Sequence, residues 1–455
     1  MTLPSYPEYK ETNLERIDSI PTHWKMVPCR AIVDECIEKN TGGESQNYLS
    51  LMANVGVIRY EDKGDVGNKK PDDLAKCKVV RPGNLVINSM NYGIGSYGLS
   101  PYSGVCSPVY IVLNPLKDVV DKRYALRVFE DKQFQTWAQS FGNGILAHRS
   151  AIGWDDLKNI KVALPPLFEQ RILSRFLDHE TTKIDALIHE QERLIELLQE
   201  KRQAVISHAV TKGLNPDVPM KDSEVEWLGE VPAHWRVLAL RRLVNEHKQG
   251  YYTTAGYVDD GIKLLRITDL EADGRLSLSR CPQVPNTPET KNYIMEYGDV
   301  VFARTGGAGS FGVFEHSEEA VFASYLIRFR FNRAQVSPGF LRHLLLSDVF
   351  QKQVASQIHG GVNQNIHAED IKNVSVALPS MDEQYRIGLY LDDLESQYKA
   401  LSEEAWKSVE LFKERRSALI SAAVTGKIDV RDWQPPADES AYDEDVRQTG
   451  MEATV

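Results

Sequence analysis

The strongest constraint on this chain is an internal repeat. Residues 163–211 align without a gap on residues 377–425, at an offset of 214, with about twenty of the forty-nine pairs identical. The shared positions include Ala-Leu-Pro at both starts, Glu169-Gln170 with Glu383-Gln384, Leu177-Asp178 with Leu391-Asp392, and Ala209-Val210-Thr211 with Ala423-Val424-Thr425. Upstream, Pro21-Thr22-His23-Trp24 recurs as Pro232-Ala233-His234-Trp235, and Asp156-Leu157-Lys158-Asn159 as Asp370-Ile371-Lys372-Asn373. Such self-similarity means one supersecondary plan built twice. The length agrees: 455 residues exceed what a single core of at most roughly 250 residues accommodates.

The ends of the two copies match and their middles do not, so two similar scaffolds carry two different variable regions. The middles read as β-rich, with short β-branched or aromatic runs at 79–88, 109–113, 299–304 and 320–331 set between Gly, Pro and Asn. The matched ends read as long helices. Each starts after a proline (Pro166, Pro379) and loses its pattern near a glycine (Gly213, Gly426). Ile184, Leu187, Gln191, Leu194, Leu198 and Val205 fall at steps of three and four, skipping one site at Lys201, and the offset places Tyr398, Leu401, Ala405, Ser408, Phe412 and Leu419 on the second helix. Apolar stripes of that length need a covering helix. The expected fold is therefore α+β: two tandem β-rich domains separated by long helices that pair as an antiparallel intramolecular coiled coil, with a homodimeric coil as the rival. The boundaries expected are 1–165, 166–214, 215–379 and 380–428, with an acidic, disordered tail at 429–455.

Composition bounds the function. No run approaches the roughly 20 apolar residues of a membrane span, and the first residues lack a signal-peptide core, so a cytoplasmic location is expected. Cys29, Cys36, Cys77, Cys106 and Cys281 are odd in number and form no C-x-x-C pair, as expected of reduced thiols. The net charge of −11 argues on its face against a nucleic-acid partner. Part of the excess is local, since seven acids and two arginines lie from Arg431 onward.

Catalytic motifs are missing from the sequence. G-x-G-x-x-G occurs twice, from Gly93 and from Gly307, but Leu99-Ser100-Pro101 and Val313-Phe314-Glu315 continue as turn or strand instead of opening the helix a dinucleotide site requires. The glycines are read as a repeated turn joining two strands. There is no phosphate-binding G-x-x-x-x-G-K-[ST], no H-E-x-x-H, no zinc spacing and no G-x-S-x-G. Ser107-Pro108-Val109-Tyr110 departs from the tetrapeptide of amino-methyltransferases and is read as a strand start. No metal or cofactor is expected in this chain, and a binder is favoured over an enzyme. Asn, Gln and Arg pair with base edges, and Ser and Thr hold phosphate. On that chemistry the candidate DNA-contact residues are Asn88, Asn91, Tyr92 and Ser96 beside the first glycine turn, Arg304, Thr305 and Ser310 beside the second, Asn143, His148 and Arg149 before the first long helix, and Asn363, Gln364 and Asn365 before the second.

At these residues the chain resembles the specificity subunit of type I restriction-modification systems. The resemblance runs from Ile20-Pro21-Thr22-His23-Trp24 to about Lys427. It is most specific in the duplicated Leu-Pro-x-x-x-Glu-Gln at Leu164–Gln170 and Leu378–Gln384, and in the helix ends at 200–207 and 414–421. It implies two target-recognition domains, each reading one half of a bipartite, asymmetric site in double-stranded DNA, and spacer helices that fix the gap. It also implies two methyltransferase subunits bringing S-adenosylmethionine and adenine N6 methylation, restriction subunits bringing ATP, Mg and translocation, and no catalysis in this chain. The rival is a coiled-coil scaffold or interaction protein without a DNA-binding role.

Overall fold

A computed structural model describes residues 3–65, 69–141, 152–252, 256–360 and 364–435. The chain divides into two units, Met1–Gln191 with Lys407–Val455, and Glu192–Trp406.

The first unit includes β1 (Lys25–Pro28), β2 (Val33–Glu35), β3 (Leu85–Asn88), β4 (Tyr97–Leu99), β5 (Tyr110–Pro115) and β6 (Lys161–Leu164), with helices α1 (Lys122–Glu130), α2 (Lys132–Ser140) and α3 (Trp154–Leu157). The order β2-β5-β3-β4 makes an antiparallel sheet, and β1 pairs with β6 with Val27 opposite Val162. Leu85, Val86 and Ile87 of β3 form a continuous apolar run because both faces of the strand are covered. Leu85 and Ile87 join one core cluster with Trp24, Tyr124 and Phe129, while Val86 joins another with Leu49 and Val112. Asp121 and Asp131 cap α1 and α2, accepting from the N–H groups of Arg123 (2.9 Å) and Phe134 (3.2 Å). Cys29 and Cys106 are buried free thiols in this unit, and burial pushes both up to about 12, which keeps them protonated and inert.

The long helix α4 (Leu167–Lys212) begins in this unit and ends in the second. The second unit then repeats the plan. β7 (Arg236–Ala239) pairs with β12 (Ser375–Leu378), and β8 (Val244–Gln249), β9 (Val300–Ala303), β10 (Phe311–Val313) and β11 (Leu326–Phe331) form an antiparallel sheet in the order β8-β11-β9-β10. Val300 and Phe302 face one cluster and Val301 and Ala303 another. Helices α5 (Pro338–Leu346), α6 (Asp348–Ser356) and α7 (Ala368–Asn373) precede the second long helix, α8 (Met381–Val424). Ser337 and Ser347 take the capping places of the two aspartates. Gly213 and Gly426, with φ of 80° and 77°, terminate the long helices in the left-handed conformation that a side chain would strain.

Within each unit the long helices run antiparallel. In the first, Arg416 of α8 pairs with Asp185 of α4 at 2.8 Å, while the earlier Leu173 and Leu177 share a core with the later Ile420 and Ala423. In the second, Arg202 pairs with Glu395 at 2.8 Å, and the later Ile206 and Val210 share a core with the earlier Ile387 and Leu391. The buried positions Leu177, Thr181, Ile184, Ile195, Ile206 and Ala209 reappear on α8 at 391, 395, 398, 409, 420 and 423, where only Tyr398 is half-buried.

This corrects the expected seam. Ile184 is buried, and Leu198, Val205, Tyr398, Phe412 and Leu419 are half-buried, but Leu187, Leu194 and Leu401 are 45%, 42% and 51% exposed. The sequence holds adjacent apolar pairs, Leu187-Ile188 and Leu194-Ile195, so two stripes about 100° apart compete. The steps continuing from Leu177, Thr181 and Ile184 select the second member of each pair.

Candidate nucleic-acid interface

The shared residues build a clasp at the start of each long helix. In the first unit Glu169, wholly buried, accepts hydrogen bonds from the Trp24 indole (3.0 Å), the Tyr6 hydroxyl and the His23 ring (2.9 Å). Gln170 accepts from the N–H of the capping Asp121 (2.8 Å) and donates to the carbonyls of Pro165 (2.8 Å) and Val119 (3.2 Å). Gln384 does the same with Ser337 (2.9 Å), Pro379 (3.1 Å) and Gln335 (2.9 Å). The Leu-Pro-x-x-x-Glu-Gln repeat is thus a joint between the β-rich region, the helix hairpin and the long helix. It is framework, and its function is to hold the divergent parts in place.

A second duplicated joint explains a metal-like cluster. His343, Asp392 and Glu395 place their ligand atoms within 4.8 Å of one another. The position a cation would take is filled by Arg342, which donates to Glu395 (2.8 Å) and Asp392 and lies 3.2 Å from the His343 ring. Arg127 makes the equivalent bonds in the first unit, to Asp178 (2.6 Å) and Thr181 (3.2 Å). Burial holds His343 below the usual imidazole range, so the group is an ion network pinning α5 to α8.

The divergent parts gather at the glycine turns. As expected, each turn joins two paired strands, β3 to β4 and β9 to β10. A Cβ on Gly95, whose φ is 90°, would meet Asn54 Oδ1 at 2.2 Å, so the first turn packs closely on a neighbouring loop. Three of the residues expected to face DNA here serve packing instead. Tyr92 is fully buried with its hydroxyl donating to the Phe129 carbonyl (2.5 Å), Asn88 is 5% exposed and accepts from the N–H of Met90, and Ser96 is 2% exposed and donates to the Leu51 carbonyl. Asn91 is exposed. Asn143, His148 and Arg149 lie outside the described residues, as does Asn363; Ile152, just past the first of these stretches, donates to the Ser89 carbonyl at 3.2 Å.

In the second unit the structure brings the expected residues together. Thr305 bridges to Asn365, Ile366 N donates to the Arg304 carbonyl (3.0 Å), and Asn365 and His359 exchange backbone hydrogen bonds of 2.8 and 2.9 Å. One edge thereby carries Arg304, Thr305 and Asn365 half-buried with Ser310 and Gln364 exposed. It also carries two residues that were not singled out from the sequence, His359 and His367, both exposed with rings 6.2 Å apart. Their signal was weak, two histidines flanking Asn-Gln-Asn, and only the fold closes that loop. Guanidinium, amide, hydroxyl and imidazole groups on one edge supply the donors and acceptors that read base edges and hold phosphates.

Comparison with known proteins agrees with this architecture. Residues 283–410 match the family described as the type I restriction modification DNA specificity domain. The chain is 25% identical over 335 residues to the specificity subunit of the type I restriction enzyme MjaVIII of Methanocaldococcus jannaschii, covering 72% of this chain and 75% of that one. It is 23% identical to the EcoBI specificity subunit of Escherichia coli over 60% of this chain and 59% of that subunit. Among solved structures, its fold is similar to a chain from a study of complex assembly and conformational transition in the type I restriction-modification system, with a TM-score of 0.70, 16% identity and coverage of 90% and 99%. It is also similar to the HsdS subunit of Thermoanaerobacter tengcongensis, with a TM-score of 0.50, 17% identity and coverage of 90% and 98%. With a duplicated framework, divergent β-rich regions and these likenesses in hand, the chain is similar in sequence and in fold to the specificity subunits of type I restriction-modification systems.

Proposed function

We propose that each unit of this chain reads one half of a bipartite, asymmetric site in double-stranded DNA, while the paired helices set the gap and dock two methyltransferase subunits. The observation that carries this reading is the contrast between copies: one framework is kept twice, down to the bonds of Gln170 and Gln384, while the turns it presents differ. Two different readers on one frame are what an asymmetric site requires. In this reading the chain is non-catalytic. The methyltransferase subunits bring S-adenosylmethionine, and restriction subunits bring ATP and Mg. A scaffold without a DNA role leaves the polar edge at Arg304, Gln364 and His359 without a purpose. The described residues include no helix long and apolar enough to cross a membrane.

The test is to co-express the chain with its partner methyltransferase and sequence the host DNA for N6-methyladenine. One bipartite motif with a fixed gap is expected. Inserting a heptad into both helices adds about 10 Å, or three base-pair rises, and is expected to change or abolish the gap with both half-sites unchanged. Absence of any motif from an intact complex sinks the reading; an unchanged gap sinks the role of the helices.

A further inference from the structure

The starts of α4 and α8 correspond residue by residue, yet one face differs in kind. On α4, Arg171, Arg175, His179 and Lys183 follow at steps of four, whereas the corresponding α8 positions hold Tyr385, Leu389, Asp393 and Gln397. Steps of four lie along one face of a helix. Arg171, Arg175 and Lys183 are exposed and His179 is half-buried.

The first unit also differs in what lies beside that face. After α8 the chain sets Ile428 and Val430 into the core, then places the Trp433 ring 5.6 Å from Phe176 and 5.5 Å from His179. The chain therefore reaches residue 435 next to the basic face. Residues 436–455 carry Asp438, Glu439, Asp443, Glu444, Asp445 and Glu452 against a single Arg447. The stretch that follows α4 is not available in this way, because Met220–Asp222 and Glu230–Pro232 fold back on each other as a hairpin. The basic face is thus found only on the helix beside which an acidic segment emerges.

We propose that the segment 436–455 docks through its carboxylates on Arg171, Arg175 and Lys183 of α4, as an intramolecular anionic ligand. The dimensions agree. Twelve helical rises from Arg171 to Lys183 cover about 18 Å, and the seven residue-to-residue steps from Asp438 to Asp445 extend to about 25 Å. Docking places the negative charge of the chain's most acidic segment against its own cations.

Carbodiimide, which joins a carboxylate to an amine with no spacer, reads the contact directly. The full chain supplies Lys183, and Arg171→Lys with Arg175→Lys keeps the charge while adding two reporters. At low salt we expect acids of 438–445 to couple to positions 171, 175 and 183 in the monomeric species. The yield should be independent of protein concentration and fall several-fold near 1 M salt. Coupling that falls as often on Lys10 and Lys25 as on α4, coupling only between chains, or no coupling at all overturns the proposal. Because the unsubstituted chain reports through Lys183 alone, misfolding of the variant cannot mask the result.

Discussion

The two helix starts use the same residues and reach different degrees of closure. In the first unit Glu169 is wholly buried and satisfies Trp24, His23 and Tyr6. In the second, the Glu383 side chain is 19% exposed, meets the exposed His234 at 3.1 Å and leaves the buried Trp235 indole N–H without a hydrogen-bond partner. The sealing elements account for the difference. The first unit adds Tyr6 from one end of the chain and the 428–433 segment from the other, tied by Asp429 N donating to the Pro4 carbonyl at 2.7 Å. The lesson is that a repeated motif specifies the joint but not its environment, and a buried carboxylate is tolerated only where neighbours supply all its donors.

That difference predicts unequal costs for equal substitutions. Glu169→Ala strands a buried indole N–H and a phenol and should destabilise the first unit by about 3–5 kcal/mol. Glu383→Ala removes one partly exposed contact and should cost about 1 kcal/mol or less. Urea unfolding of the two variants would check this, and equal midpoint shifts would remove the distinction between a closed and an open clasp.

The neighbouring glutamines are the internal control. Gln170 and Gln384 each make three matched bonds to the same parts of their units and are wholly or nearly wholly buried. Gln170→Ala and Gln384→Ala should therefore cost about the same, roughly 2–3 kcal/mol each. A twofold disparity in unfolding free energy would mean that the two frames are not equivalent even where their bonds are.

How much of this was legible in the sequence follows from the range of each signal. The repeat, the helix starts after Pro166 and Pro379 and the stops at Gly213 and Gly426 are local, and they were readable. The phase of the helix seam was not, because Leu187-Ile188 and Leu194-Ile195 satisfy two stripes equally and only packing chooses. In the second unit the fold joins Thr305 and Asn365, two residues named from loop chemistry. In the first, Ser96 reaches Leu51 across 45 residues of sequence and Tyr92 reaches Phe129 across 37, contacts that loop composition does not reveal. Polar loop composition looks alike whether a residue faces solvent or ties a turn to the core.

The smallest effect expected concerns His343, the neighbour of Arg342 on α5, whose Nδ1 is buried without a hydrogen-bond partner. Burial holds this imidazole below its usual range despite the bond to Asp392. Below about pH 6.5 the unfolded chain takes up a proton that the folded one resists. Stability from this group is therefore full at pH above 6.5 and falls as the pH drops toward the folded value, by at most about 1.4 kcal/mol per pH unit. His343→Val replaces the imidazole with an apolar side chain and removes that loss. At pH 7.5 the variant should lie within about 1 kcal/mol of the parent, because a lost bond to Asp392 offsets the relief of an orphaned nitrogen. At pH 5.5 the variant should gain on the parent. Unfolding free energies that stay parallel between the two pH values would show that the imidazole is not the group through which acid weakens the second unit.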